Sequence, residues 1–262
     1  MTTPKLLVSV VSAEEAERAV AGGADIVDVK DPDEGALGAP APRVLEEIAR
    51  VVGAAAPLSV ALGDLPDLPH TAALAARGAA LAGAAYVKIG LRGVCELDRA
   101  AAVMAAVMDA VGPETAVIAA AYADAQALDP PALAAGWLPL LVERTGIAGA
   151  LVDTFLKDGR GLYAWLGEAE LTELIGRTRR AGGSFAVAGQ LRLGELRRTQ
   201  ADIVGVRSAV CRGGDRAAAL DTALVAAAAA EVRRLGAGVP CRSAGSPKPD
   251  SQRGVMCVPD QP

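Results

Sequence analysis

The sequence predicts an α/β fold, a (β/α)8 TIM barrel with a closed parallel sheet. Three observations lead there. Short β-branched runs alternate with alanine-rich amphipathic runs, and the alternation counts to eight strands, each followed by a helix, within residues 1–235. Most strand-like runs are continuously apolar, as in parallel strands buried on both faces. Val11-Ser12-Ala13 follows the first strand, where a doubly wound open sheet would place a glycine-rich turn. The chain has 262 residues, 52% hydrophobic and 22% charged. It is long enough to bury an ample core without a disulfide or metal staple.

The elements follow in order. The first strand is expected at Lys5–Val10, and Ser12 before Glu15 forms an S-x-x-E capping box for a helix that stops at Gly22-Gly23. A second strand, Asp25–Lys30, precedes a helix over Arg43–Val52 opened by Pro42. Strand Leu58–Leu62 precedes helix Leu68–Leu81, and strand Tyr86–Leu91 precedes helix Leu97–Val111, stopped by Gly112-Pro113. Strand Ala116–Ala121 is paired with a helix over Pro131–Thr145, and strand Ala150–Thr154 with one over Glu168–Ala181. The last units are Ser184–Gly189 with a short helix over Leu193–Thr199, and Asp202–Arg207 with Asp215–Leu235. Residues 236–262 turn rich in Gly, Pro and Ser, so a flexible tail is expected after the barrel domain.

Composition narrows the partners. Lys and Arg total 26 against 31 Asp and Glu, a net charge of -5, with aromatic residues at 3%. The chain therefore lacks the basic field and stacking aromatics of a nucleic-acid binder. The most apolar stretches are interrupted by Asp109, Asp221 and Glu231, so no membrane span of ~18 residues is expected. The start is too short and too soon acidic for a signal peptide. Cys95, Cys211, Cys241 and Cys257 form no CxxC and read as free thiols in a reducing cytoplasm. His70, the sole histidine, reads as a surface residue, so no metal site is expected. Alanine-rich helix faces permit a homo-oligomer.

Lysine is scarce, with five in the chain: Lys5, Lys30, Lys88, Lys157 and Lys248. Lys30 ends strand two, Lys88 sits within strand four and Lys157 lies just past strand six, which puts all three at the rim where barrel enzymes place their chemistry. Arginine carries the ordinary positive charge and cannot act as an amine nucleophile, whereas lysine can when desolvated or crowded by other cations. Asp28 lies two residues before Lys30, in phase on one strand face, and Asp153 lies four before Lys157. Paired Asp and Lys can move protons. Spacing alone leaves Lys30, Lys88 and Lys157 equal candidates for an imine. A phosphate grip is also legible: Gly189 ends strand seven, Arg207 ends strand eight, and Gly213-Gly214 stand before the last expected helix.

The run Asp25-Ile26-Val27-Asp28-Val29-Lys30-Asp31-Pro32, with Glu34-Gly35 and Leu37-Gly38-Ala39, resembles the signature of the (5-formylfuran-3-yl)methyl phosphate synthase family of methanofuran biosynthesis. Tyr86-Val87-Lys88-Ile89-Gly90-Leu91, Asp153-Thr154 with Lys157-Asp158-Gly159, and Gly205-Val206-Arg207 with Cys211, Gly213, Asp215 and Arg216 are similar to it too. The resemblance covers roughly residues 5–235. It implies a carbon–oxygen lyase that joins two glyceraldehyde 3-phosphate molecules with loss of phosphate and water. It implies Lys30 as the Schiff-base lysine and Lys88 as proton acceptor, supported by Asp28, Asp153 and Lys157. No cofactor is expected, because dehydrations supply the unsaturation of the furan. The alternatives are a Schiff-base aldolase of another sugar phosphate and a non-catalytic barrel that binds a phosphorylated ligand.

Overall fold

Apolar runs buried on both faces need a cover of helices outside and a filled interior. The computed structural model has that arrangement over the residues it describes, 3–65 and 67–236. The strands are β1 (Lys5–Val10), β2 (Ile26–Val29), β3 (Leu58–Asp64), β4 (Ala84–Gly90), β5 (Ala116–Tyr122), β6 (Gly149–Asp153), β7 (Ser184–Val187) and β8 (Ile203–Val206). Each is hydrogen-bonded in parallel to the next, and β8 closes on β1 with Lys5 opposite Ile203 and Val8 opposite Val206. The helices are α1 (Ala13–Ala21), α2 (Pro42–Val52), α3 (Pro69–Leu81), α4 (Leu97–Val111), α5 (Leu138–Thr145), α6 (Glu168–Arg180) and α7 (Thr222–Gly236). Among the described residues no helix is long and apolar enough to cross a membrane.

The period of two along each strand separates two apolar layers. Leu6, Val8 and Val10 of β1 pack outward with Val27, Val29, Val87, Ile89 and the helices. Leu7, Ile26, Ile118, Leu151 and Ile203 fill the barrel interior. The inner positions nearer the C-terminal ends are small, among them Ala61, Ala120 and Ala186, or polar, among them Ser9, Asp28 and Lys88. The interior is thus packed at its base and open at its top.

The structure corrects three expected helices. The segment after β5 takes a 3-10 turn over Ala135–Trp137 and becomes α-helical only at Leu138, because residues 131–133 are held elsewhere. Gly93 N–H donates to Pro131 O, Leu133 N–H to Leu91 O, and Ala132 forms an antiparallel bridge with Arg92. The short piece after β7 is a 3-10 helix over Leu193–Arg198. The last helix starts at Thr222 and not near Asp215, since the Asp221 carboxylate accepts from Ala223 and Leu224 N–H as its cap. The expected tail, with Cys241, Lys248 and Cys257, lies outside the described residues.

Candidate active site

Strands β2, β4 and β6 deliver three of the charged side chains to a cavity of about 650 Å³ at the C-terminal end of the barrel. Asp28 is an inward residue of β2, Lys88 of β4, and Asp153 ends β6. Lys30 follows directly after β2, and Lys157 comes from the loop beyond β6. Lys157 does not lie on a continuation of β6. Strand β6 stops at Asp153, and Lys157 turns back from the loop, its Nζ donating to Asp153 Oδ1 at 3.0 Å and to Thr154 O at 2.5 Å.

The three lysines have different surroundings. Lys88 Nζ lies 2.6 Å from Asp28 Oδ1, and both side chains are buried. Ser9 Oγ donates to the other Asp28 oxygen at 2.8 Å. Lys157 is paired with Asp153. Lys30, 7% exposed, has no carboxylate in contact among the described residues, and its Nζ donates only to Ala36 O at 3.3 Å. Burial lowers the Lys30 amine most, Asp153 and Asp28 pull it upward, and Lys157 and Lys88 push it down, leaving it at about 8. Burial by itself would raise the Asp28 carboxyl, but Lys88 and Lys30 overcome it and hold Asp28 below its ordinary value. Asp153 is held low in the same way by Lys157 and Lys30.

Several residues that fix this geometry escaped sequence reading. Asp124, fully buried beyond β5, accepts from Phe155 N–H at 2.9 Å and Leu156 N–H at 2.7 Å. Gln190, a non-glycine residue at φ +50, donates to Arg160 O at 2.7 Å and accepts from Gly159 N–H at 3.3 Å. Together they clamp the loop that carries Lys157. On the opposite wall, the β3–β4 register shifts between Ala61 and Asp64. Gly63 takes φ +88 there, and the bulge brings the Asp64 carboxylate to the Tyr122 hydroxyl, which donates at 2.9 Å. Burial raises the Asp64 carboxyl against the hydrogen bonds from Tyr122 and Arg92. A Cβ on Gly90 would lie 2.0 Å from Asp64 Oδ1, so the carboxylate occupies the space that any other residue would fill. A glycine inside a strand was the one available sequence signal for that bulge.

The expected phosphate grip is only partly assembled. Gly189, Arg207 and Gly214 line the cavity, whereas Gly213 is not among its lining residues. Gly213-Gly214 do not stand at a helix N-terminus, because α7 begins at Thr222. Arg207 is engaged within the protein: its Nη1 donates to Glu15 Oε2 at 2.9 Å and Ser9 O at 3.0 Å, and its Nε to Arg216 O at 2.9 Å. Arg216 itself points into the cavity wall. His70 is exposed at the start of α3. Among the described residues no group of three or more His, Cys, Asp or Glu side chains is placed to hold a metal ion.

The fold and cavity define a (β/α)8 barrel whose mouth is lined by lysine–aspartate pairs and which is open to a small polar molecule. The family model for 4-HFC-P synthase matches residues 6–229, and the chain belongs to that family. Proteins named (5-formylfuran-3-yl)methyl phosphate synthase are similar over nearly their whole length. The one from Methanosarcina mazei is 40% identical over 233 residues, covering 87% of this chain and 98% of the relative. The one from Methanopyrus kandleri is 43% identical over 222 residues, 81% and 92% respectively. Among solved structures, N-(5'-phosphoribosyl)anthranilate isomerase from Pyrococcus furiosus superposes with a TM-score of 0.60 at 16% identity, over 88% of this chain and 99% of that one. Thiamine phosphate pyrophosphorylase from Pyrococcus furiosus gives 0.58 at 15% identity, over 89% and 96%. These two share the barrel.

Proposed function

We propose that the cavity condenses two glyceraldehyde 3-phosphate molecules into (5-formylfuran-3-yl)methyl phosphate through an imine on Lys30. The observation that carries this reading is the difference among the lysines. Lys30 is the rim lysine without a carboxylate in contact among the described residues, and it titrates at about 8. A neutral amine is what attack on an aldehyde needs. The imine cation that forms would take the place of the ammonium between Asp28 and Asp153, the two charges that favour positive charge there.

The chain's own groups suit the steps that follow. The protonated imine withdraws electrons from the adjacent carbon, and the Lys88–Asp28 pair accepts the proton released as the enamine forms. The enamine expels the phosphate of the imine-bound triose. Its terminal carbon then attacks the central carbonyl of the second triose, shifted from aldose to ketose, and Lys157, paired with Asp153, supplies a proton to the alkoxide. The terminal hydroxyl of the second triose closes on the carbonyl carbon beside the imine, loss of two waters gives the aromatic furan, and hydrolysis of the imine releases it as the aldehyde. Two triose phosphates equal the product plus one phosphate and two waters, so the sequence is redox-neutral. That balance makes the enzyme a carbon–oxygen lyase.

The reading is tested with glyceraldehyde 3-phosphate as sole substrate. Furan absorbance and inorganic phosphate should appear together, one of each for every two aldehydes consumed. An aldol product that keeps both phosphates would instead identify a Schiff-base aldolase.

A further inference from the structure

Three arginines line the cavity, Arg192, Arg207 and Arg216. Arg192 is exposed. Arg207 is buried, and Glu15 and two backbone carbonyls take up its donors. Arg216 is half-buried, and among the described residues its guanidinium makes no ion pair and no hydrogen bond. Burial is the largest influence on it and disfavours its charge, while the Asp153 carboxylate opposes that effect and the Arg207 cation adds to it. A guanidinium drawn partly out of water beside a second cation is costly to hold unless an anion completes it.

The loop is shaped to present this side chain. Cys211 bridges Leu220 antiparallel, and Arg212 N–H donates to Ala219 O, which closes the segment between β8 and α7 into a lobe. Gly213 and Gly214 take φ +66 and +74, a doubled left-handed turn that residues with a Cβ rarely adopt. Arg207 then grips the Arg216 carbonyl from below. The cation at the lip is thereby fixed at its backbone and free at its planar, five-donor end, which suits bidentate contact with phosphate.

We propose that Arg216 is the residue that recognises the phosphate of the triose, and that Gly213-Gly214 serve as the turn delivering it. The identity of the ligand rests on the reaction proposed above, whereas the anion site does not. The probes are inorganic phosphate, glyceraldehyde 3-phosphate and D-glyceraldehyde, applied to the protein, Arg216→Ala and Arg216→Lys. Inorganic phosphate should raise the melting temperature of the parent protein, and Arg216→Ala should need at least about 10-fold more phosphate for the same rise, as for loss of a charged hydrogen bond. Arg216→Lys should recover part of it. Reductive trapping should follow the same pattern: half-saturation by glyceraldehyde 3-phosphate rises about 10-fold or more in Arg216→Ala, while trapping of D-glyceraldehyde is unchanged. Equal phosphate response in parent and Arg216→Ala, or equal losses with both aldehydes, would overturn the proposal. A phosphate response that depends on Arg216 without trapping of any lysine would sustain it and remove the imine reading instead.

Discussion

At the scale of single residues, one ammonium is made less comfortable than its neighbours. Lys88 and Lys157 each face a carboxylate, whereas Lys30 is desolvated and bordered by both of those cations. Its proton leaves at about 8 in the folded protein against an ordinary value of 10.5. The rate at low substrate should therefore rise with pH through about 8, read as kcat/KM, with a limb near 10.5 contradicting the assignment. The same shift has a consequence for folding. Between those two values the unfolded chain holds more protons at this position, so the Lys30 contribution to stability rises with pH across that window. Asp28 and Asp153 act at the other end. Their carboxyls are held below 3.8, so their stabilising contribution is present above that value and is lost as pH falls through their lowered range.

At the scale of elements, the strands serve as rulers and the loops as clamps. Gly90 shows how tight the ruler is, since its missing side chain leaves the space that Asp64 and Tyr122 fill. Gly90→Ala should lower stability by about 1–3 kcal/mol, the range for overpacking, measured by urea denaturation. A neutral result would mean that the β3 bulge yields freely. The strands were legible in the sequence because a parallel strand buried on both faces is written as an apolar run, and β1 ran from Lys5 to Val10 as expected. Asp28, Lys30, Lys88 and Asp153 were legible because positions on or beside a strand are local facts, whereas Lys157 reaches Asp153 from a loop. The remainder depended on pairing between distant segments. Residues 131–133 abandon helix to bond with residues 91–93, and the β3 bulge turns Asp64 inward, beyond the expected end at Leu62. Arg216 could be read as part of a motif, but its freedom depends on Arg207 having already been taken by Glu15.

At the scale of the whole molecule, that Glu15–Arg207 pair joins α1 to the end of β8, 192 positions away in sequence, across the seam where the barrel closes. Glu15 also accepts from Val11 N–H at 3.0 Å, one residue before the expected capping-box contact at Ser12. Removing its carboxylate would leave the Arg207 charge buried and uncompensated. Glu15→Ala should cost about 3–5 kcal/mol in equilibrium unfolding. Glu14→Ala, which breaks the exposed pair with Arg18, should cost about 0–1 kcal/mol. Similar losses from the two variants would show that the seam does not depend on this contact. The chain thus combines a closed barrel of the 4-HFC-P synthase family with an interior whose base is apolar and whose mouth is charged. The proposed chemistry at the mouth runs through an imine on Lys30. Borohydride reduction in the presence of glyceraldehyde 3-phosphate, followed by peptide mass spectrometry, would capture that imine. A reduced triose phosphate should appear on the peptide containing Lys30 and none after Lys30→Arg. Modification at Lys88 or Lys157 in its place, or at no lysine at all, would contradict that chemistry.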